Sequence, residues 1–457
     1  MSRTRTSIID TVSSALLLVF GSALAATALF FVIERDAYTV DFARTLLFIA
    51  VPASLAAVAF TAAPSRRRRP FALIALLLMG SVYGGELALS YANWLKWHAV
   101  LVDSDPRPKV EFIEQLRSAG YDAWPIASPT SLAGALAGKG VPSERQPLLP
   151  LGGISNVKSV FCGEGRPFVT YQSDRHGFFN PAPAFNAKPN VMLLGDSYVQ
   201  GYCVGPMDGI APRLRERFPG TLNFGMSGNG PLLLLATLRE YGPALEPEFV
   251  VWSFFAGNDL VNLESERDRL ALAAYLDPDH RQRLSEKQGE VDALLRDYID
   301  GEQADAPRAP IAEAEGMRAS LGRKLLPVLS LHNLLPFLGL PRGRVDFDYP
   351  LLEEILRAAR DEVAGWSGRL LFAYLPLTAD LYGLSRFDAD GSYARQRTLE
   401  IVRHLDIPIV DLYPVIAALP DPMAVSRTPR THYNERGYDL VAREIAAALK
   451  SRAARNR

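Results

Sequence analysis

The chain has 457 residues, in which 49 Lys and Arg balance 50 Asp and Glu. This balance argues against a nucleic-acid partner, because proteins that bind nucleic acids usually carry a strongly basic surface. The length allows one large domain or two to three smaller ones. Hydrophobic residues make up 48% of the chain, but they are concentrated near the N terminus. That part of the chain is therefore expected to face a different solvent from the rest.

Three apolar stretches near the N terminus predict membrane-spanning helices. Ala15–Ile33 and Leu46–Ala63 carry no charge, and a third stretch, from Phe71 to about Leu95, carries the single acid Glu86. Each is close to the length of about 20 residues that a helix needs to cross a bilayer. A cleavable signal peptide is the alternative for the first stretch. It is disfavoured because the apolar run is long and two further stretches follow.

Basic residues predict the orientation of these helices. Arg3 and Arg5 precede the first stretch, and the run Arg66–Arg69 lies between the second and the third. Basic residues favour the cytoplasmic side of a membrane. We therefore expect residues 1–96 to anchor the chain in the inner membrane, with the N terminus inside and the remainder on the periplasmic side. A nucleic-acid or targeting patch is the alternative for Arg66–Arg69, disfavoured by its place between two apolar helices.

The two cysteines, Cys162 and Cys203, both lie in the part of the chain predicted to be exported. Extracytoplasmic compartments permit disulfide bonds. The sequence favours a disulfide between them, with two separate buried thiols as the alternative. On the chain-entropy model such a bond stabilises the fold by about 3–4 kcal/mol.

From about residue 190 onwards, apolar strands alternate with helices, a pattern typical of a parallel sheet with crossover helices. The predicted strands are Asn190–Leu194, Thr221–Phe224, Phe249–Phe255, Arg369–Leu375 and Ile407–Leu412. The predicted helices are Asp208–Phe218, Leu232–Tyr241, Leu351–Ala364, Tyr393–His404 and Tyr438–Leu449. We interpret residues 190–450 as an α/β domain with a three-layer, doubly wound, parallel five-stranded sheet of flavodoxin-like type. A helical insertion interrupts it at about 264–343. Residues 97–189, rich in Pro and Gly, are interpreted as an irregular exported segment that packs on this domain.

Four polar motifs follow predicted strands or precede the last helix. They are Gly195-Asp196-Ser197, the glycine loop at Asn223–Pro231, Gly257-Asn258-Asp259 and Thr431-His432. Taken singly, an N-cap or turn, a glycine loop, an Asx turn and a structural histidine would explain them. Functional groups of doubly wound sheets lie at the carboxyl ends of the strands. The four motifs therefore share one rim of the predicted sheet and indicate a single site.

In order and spacing these motifs resemble the SGNH (GDSL-type) hydrolase family over most of the predicted exported part. The resemblance implies that Ser197 is a nucleophile and His432 its base. It further implies an oxyanion site built from the N–H of Ser197, the N–H of Gly228 (with Gly225 as the second match) and the amide of Asn258. The implied reaction is serine-dependent ester hydrolysis or acyl transfer, which requires no metal or other cofactor.

The sequence departs from the family pattern just before the histidine. Family members commonly carry an Asp three residues before it, where this chain has Pro429. The acid that orients the ring of His432 is therefore open among Asp421, Asp411 and Glu435. A Ser–His dyad oriented by a backbone carbonyl and a domain that has kept only binding are the alternatives. The position matters, since an orienting acid is worth about 10⁴ in rate in serine proteases.

The resemblance also bears on the substrate. A membrane-tethered, exported domain is similar to relatives that add or remove O-acyl groups on cell-surface polysaccharide, which implies O-acylated, in particular O-acetylated, carbohydrate. The other expected partner is the lipid bilayer. The alternatives are a lipase or thioesterase at the membrane surface and a catalytically degenerate domain that binds glycan or scaffolds an envelope assembly. Five aromatic side chains are candidates to stack on sugars, although core positions are favoured for them: Trp252, Phe254, Phe255, Tyr198 and Tyr202.

Overall fold

The computed structural model describes residues 2–33, 40–98, 109–130, 132, 148–162, 168–185, 188–305, 334, 347–382, 392–426 and 432–454. The chain forms two compact units. The first, here called the N-terminal helical unit, comprises Met1–Ala99, Arg308–Asp346 and Gly383–Ala394. The second, here called the α/β unit, comprises Val100–Pro307, Phe347–Tyr382 and Arg395–Arg457.

The N-terminal helical unit contains α1 (Ser2–Ile33), α2 (Val40–Thr61) and α3 (Ser65–His98). Among the described residues two helices are long and apolar enough to cross a membrane, through Ile8–Ala26 and Ser65–Ala92. This is fewer than the three spans predicted. Helix α2 has 22 residues, and the part of it whose side chains are described is the apolar stretch Ala50–Thr61. A signal sequence near the N terminus passes the same test of length and composition as α1.

Helices α1 and α3 run in the same direction. Arg69 Nε, in the first turns of α3, donates to Asp10 Oδ1 of α1 at 2.9 Å. Further along both helices, Leu17 of α1 packs against Ala72 and Ala75 of α3. Because the residue numbers increase together along the contact, the two helices lie parallel.

The remaining elements belong mainly to the α/β unit. The strands are β1 (Ala123–Pro125), β2 (Lys158–Phe161), β3 (Val169–Gln172), β4 (Val191–Gly195), β5 (Thr221–Gly225), β6 (Phe249–Phe255), β7 (Arg369–Leu375) and β8 (Ile409–Asp411). The α-helices are α4 (Lys109–Ser118), α5 (Ser197–Gln200), α6 (Ile210–Arg215), α7 (Pro231–Leu245), α8 (Asp259–Glu266), α9 (Leu270–Ala273), α10 (Gln288–Asp305), α11 (Tyr349–Gly365), α12 (Ser392–His404), α13 (Leu412–Ala417) and α14 (Glu435–Ala454). Short 3₁₀ helices lie at Ala182–Phe185, Ala274–Leu276, Leu284–Glu286, Thr378–Tyr382 and Pro422–Val425.

The main sheet has the order β5-β4-β6-β7-β8, and all its neighbouring strands pair in parallel. This confirms the predicted five-stranded parallel sheet. The chain passes from β4 to β5 on one side and then returns to β6 on the other, so β4 is the topological switch point of the sheet. All seven residues of β6 are buried, as expected for a strand with helices on both faces. Binding crevices of such folds lie beyond the carboxyl ends of strands at the switch point.

Residues 97–189 contain regular structure that the sequence did not predict. Helix α4 is followed by a small sheet of order β1-β2-β3, in which β1 and β2 are parallel and β2 and β3 are antiparallel. These strands have three or four residues each. Such short strands show too little alternation of polar and apolar residues to be recognised from sequence.

A disulfide between Cys162 and Cys203 joins the small sheet to the segment after α5, with a Cα–Cα distance of 5.2 Å. This distance lies in the usual range for disulfides and confirms the predicted pairing. Both cysteines are buried in an apolar cluster with Phe161 and Tyr171. The disulfide therefore attaches the end of β2 close to the turn that carries Ser197.

A buried polar network attaches the stretch that follows β3 to the edge of the main sheet. Asn180 Oδ1 accepts hydrogen bonds from Asn223 N at 2.8 Å and from Arg215 Nη2 at 2.6 Å. Asn180 Nδ2 donates to the carbonyl of Asn223 and to Asp174 Oδ2. Burial raises the pKa of Asp174 to about 6. The amide of Asn180 thus satisfies backbone groups of β5 that an edge strand would otherwise leave unpaired.

The described part of the predicted insertion is helical. It contains α9 and α10 with two short 3₁₀ helices between them. Its later residues, 306–346 except Leu334, lie outside the described residues.

Candidate active site

Ser197 lies at the carboxyl end of the central strand β4. It is the first residue of α5 and is 5% exposed. Asp196 caps this short helix, and its Oδ1 accepts a hydrogen bond from Tyr198 N at 2.9 Å. The turn therefore holds the Ser197 hydroxyl at the switch point of the sheet, where the sequence predicted it.

His432 contacts Ser197 directly. Its Nε2 atom lies 2.7 Å from Ser197 Oγ, a hydrogen-bond distance. The loop that carries His432 is fixed on both sides. Tyr433 Oη donates to the carbonyl of Pro376 at 2.6 Å, and Asn434 Oδ1 accepts from two backbone N–H groups at the start of α14. The fold thus brings together two residues that are 235 positions apart in sequence.

Aromatic side chains fix the ring of His432. The ring centroids of Tyr198 and Tyr202 lie 4.9 Å and 4.6 Å from that of His432. Tyr198 in turn stacks on Phe255 at 3.9 Å. Of the five aromatics considered as sugar-stacking candidates, Tyr202 is partly exposed, and the others are buried: Trp252, Phe254, Phe255 and Tyr198.

The two candidate glycines after β5 differ in whether their N–H groups are engaged. Gly225 N donates to Asn223 Oδ1 at 2.8 Å. For Gly228 the described residues provide no acceptor, and the residue has a φ of +83°, in the left-handed region that favours glycine. The geometry therefore favours Gly228 over Gly225 as the glycine whose N–H is available to a ligand.

Asn258 follows β6 and lies at the N-cap position of α8, half-buried. Its amide interacts with the carboxyl group of Asp196. An amide carries two N–H donors, so Asn258 is able to donate to a ligand from this position. The loop is held by Asp259, whose Oδ2 accepts from Phe255 N at 3.1 Å.

Three buried carboxyl groups lie behind the site. Burial raises the pKa of Asp196, and it raises that of Asp259 well above the ordinary value, with the charge of Asp196 adding to the effect. Glu266 accepts from Gly230 N at 2.7 Å and Leu232 N at 2.9 Å. Burial raises the pKa of Glu266 to about 8. Sequence reasoning missed Glu266, because nothing in its local pattern indicates that it holds the start of a helix 36 residues upstream.

Two of the three carboxylates considered as orienting acids have other partners. Asp411 caps α13 through Tyr413 N and forms an ion pair with Arg395. Asp421 Oδ1 accepts from Met423 N at 2.9 Å, and Glu435 is the first residue of α14. Pro429 lies outside the described residues, so the orienting group stays a prediction. Within the described parts of the chain, no group of three or more His, Cys, Asp or Glu side chains is placed to hold a metal ion.

Replacing Asp259 by Asn should alter the pH dependence of stability. The raised pKa means that the folded chain holds a proton that the unfolded chain releases above the ordinary Asp value of 3.8. Wild-type stability therefore falls as pH rises from that value. Asp259→Asn cannot ionise, so its free energy of unfolding should rise relative to wild type as the pH increases above about 4. Urea titrations of the detergent-solubilised chain, followed by tryptophan fluorescence, measure this difference.

Glu216→Gln is the control for this experiment, because Glu216 is an exposed carboxylate. Its pH profile should run parallel to that of the wild type. A parallel profile for Asp259→Asn as well would contradict the assignment of a proton to the buried carboxyl pair.

Comparison with known proteins identifies the family. The model of the GDSL-like lipase/acylhydrolase family matches residues 193–440, more than half of the chain. A lipase/acylhydrolase from Enterococcus faecalis is similar in structure, with a TM-score of 0.34, 13% identity and coverage of 58% of this chain and 96% of its own. An acetyl xylan esterase has a TM-score of 0.34 and 13% identity, with coverage of 57% of this chain and 98% of its own. A two-domain esterase active on acetylated mannans has a TM-score of 0.31 and 15% identity, with coverage of 57% of this chain and 48% of its own. A sequence comparison with curated proteins found no match. The chain belongs to the GDSL-like lipase/acylhydrolase family, and this membership supports hydrolase activity on esters.

Proposed function

We propose that the chain is a serine esterase or acyltransferase in which Ser197 attacks an ester carbonyl and His432 accepts the serine proton. The observation that carries the proposal is the 2.7 Å contact between His432 Nε2 and Ser197 Oγ. A histidine within hydrogen-bond reach is what a serine needs to become a nucleophile. The family match supports ester hydrolysis as the type of reaction.

The proposed reaction has two steps. Attack by Ser197 Oγ forms a tetrahedral intermediate, whose oxyanion accepts hydrogen bonds from Ser197 N, Gly228 N and the amide of Asn258. His432 then gives its proton to the departing alcohol, which leaves an acyl-serine. Water or a sugar hydroxyl attacks the acyl group, His432 takes its proton, and the ester bond to Ser197 breaks as the oxygen of the serine recovers that proton. Each oxyanion donor is worth about 10²–10³ in rate.

The histidine ring is held without a carboxylate at position 429. Tyr198 and Tyr202 pack on it, and the cap formed by Asn434 fixes the loop that carries it. These contacts limit the rotation of the imidazole ring beside Ser197. An additional orienting acid among Asp411, Asp421 and Glu435 stays a prediction.

The proposed location is the inner membrane, with the catalytic domain on the periplasmic side. The disulfide between Cys162 and Cys203 supports an oxidising compartment. Helices α1 and α3 lie parallel, and basic residues precede each of them. If both helices cross the membrane, the C-terminal end of α3 lies on the opposite side of the membrane from the N-terminal end of α1. Because basic residues favour the cytoplasmic side, α3 ends on the periplasmic side.

The proposed substrate class follows from this location. An esterase held outside the inner membrane meets O-acylated carbohydrate of the cell envelope, and O-acetyl groups are the smallest esters of that kind. The competing substrate is a long acyl chain, as in a lipase or thioesterase acting at the membrane surface. These two differ in the length of acyl chain that the site accepts.

The purified chain should hydrolyse p-nitrophenyl acetate and react with a fluorophosphonate probe. Ser197→Ala should abolish labelling and lower kcat by about 10⁴ or more, as removal of a catalytic nucleophile does in serine hydrolases. Ser265→Ala removes an exposed hydroxyl bonded to the carbonyl of Asn262 and should retain full activity. The rate should fall as the acyl chain of the ester lengthens. Steady-state kinetics and in-gel fluorescence measure these effects.

Two outcomes would contradict parts of this proposal. Folded wild-type protein that neither labels nor turns over would favour a domain that only binds. A rate that increases towards long acyl chains would exclude the acetylated carbohydrate class and favour the lipase.

Fusion of alkaline phosphatase to the C terminus tests the location. The enzyme requires an oxidising compartment for its own disulfides, so the fusion should be active if the α/β unit is periplasmic. Fusion after Thr61, the last residue of α2, should be inactive, because basic residues place that loop inside. An inactive C-terminal fusion in a full-length, membrane-located chain would overturn the orientation.

A further inference from the structure

The direction of the Gly228 N–H group is set by the carbonyl group of Ser227. These two groups belong to one peptide unit, which is planar and trans, so the N–H points opposite to the C=O. A donor that holds the carbonyl oxygen of Ser227 therefore also aims the N–H of Gly228. This matters because a glycine at φ +83° is flanked by peptide units that rotate easily when they are not held.

Two hydroxyl groups from the segment after β1 hold successive carbonyls of this loop. Ser128 Oγ donates to the carbonyl of Ser227 at 2.6 Å. Thr130 Oγ1 donates to the carbonyl of Gly228 at 2.5 Å, to which Asn262 Nδ2 also donates at 3.2 Å. The peptide units on both sides of the Gly228 Cα are thus fixed by side chains.

Hydrogen bonds also hold the peptide unit before Ser227 and the segment that carries Ser128 and Thr130. The preceding peptide unit is held because Ser227 N donates to Gln200 Oε1 at 3.0 Å, and Gln200 belongs to the helix that Ser197 begins. The donor segment is itself anchored, since Arg269 Nη1 donates to the carbonyl of Thr130 at 2.8 Å. Ile126 N also donates to the carbonyl of Val160 in β2 at 3.2 Å.

Space around the glycine is limited by the same two residues. A Cβ atom added at Gly228 would lie 3.1 Å from Ser128 Oγ and 3.4 Å from Thr130 Oγ1. Both hydroxyls therefore sit directly against the glycine and not at the periphery of the loop. Neither belongs to the family-matched part of the chain, which begins at residue 193.

We propose that Ser128 and Thr130 are positioning residues for the reaction, and this rests on the proposed function. Their hydroxyls hold the two peptide units of Gly228 so that its N–H is aimed at the oxyanion before substrate arrives. Donors that are fixed in advance need no reorganisation when charge develops in the transition state. The segment N-terminal to the family domain is therefore part of the active site.

The test compares Ser128→Ala and Thr130→Val with wild type, in the full-length chain and with p-nitrophenyl acetate. Each change should lower kcat by about tenfold, with KM within about twofold of wild type, because the lost interaction acts mainly on the transition state. The pH at which kcat/KM is half-maximal should stay the same, since His432 is untouched. Ser128→Thr and Thr130→Ser keep the hydroxyl and should restore kcat to within about threefold of wild type.

Ser155→Ala is the matched control. Its hydroxyl also joins the N-terminal part of the unit to a later element, by donating to Asp292 Oδ2 at 2.6 Å, but it contacts neither Ser227 nor Gly228. This variant should keep wild-type kcat. Thermal unfolding of all variants separates loss of rate from loss of fold, and the two single changes and their rescues give four independent measurements.

The outcomes separate this proposal from the proposed function. A wild-type chain that reacts with neither ester nor fluorophosphonate overturns both. An active wild type whose Ser128→Ala and Thr130→Val variants keep full kcat overturns the positioning role and leaves the esterase intact. Equal losses of kcat in Ser155→Ala and Ser128→Ala would also overturn it, because they would indicate a general effect of attaching the segment.

Discussion

The hydrogen bond between His432 Nε2 and Ser197 Oγ is the interaction on which the rest of the account depends. Its partners follow the first strand of the main sheet and precede the last helix. The contact therefore depends on the fold of the whole α/β unit. The parallel order of the strands places β4 at the switch point. The tyrosines of α5 and of the segment that follows it then hold the imidazole ring against the serine. A small displacement of either element would break this contact, because hydrogen bonds weaken steeply with distance and angle.

The surroundings of this pair are built to limit charge and movement. Asp196 and Asp259 are almost fully buried behind the site, and burial favours their neutral forms. The glycine loop after β5 is held from three directions, by Gln200, Ser128 and Thr130. The N-terminal segment thus has two attachments at the site, one through the disulfide and one through these hydroxyls. This explains why a stretch outside the family domain belongs to the same compact unit.

Much of this could be predicted from the sequence, for identifiable reasons. Strands β6 and β7 were predicted with the bounds they have, because continuous apolar runs mark strands buried on both faces. Ser197 and His432 were expected to meet because a family pattern fixes their order along the chain, and the structure brings their side chains together. The hydrogen bonds of Ser128, Thr130 and Glu266 to distant backbone groups could not be predicted, since such bonds leave no local pattern in the sequence. Two of the three predicted spans are found among the described residues, and the side chains of the first part of α2 lie outside them.

A crystal structure of the full-length chain after reaction with a fluorophosphonate tests the central claim most directly. The account predicts a covalent bond between Ser197 Oγ and phosphorus, with His432 Nε2 still beside that oxygen. It also predicts that the phosphoryl oxygen lies about 3 Å from Gly228 N and from the Asn258 amide nitrogen, the distance at which oxyanion donors act. An adduct on another residue would contradict the account, and so would a phosphoryl oxygen that faces away from Gly228.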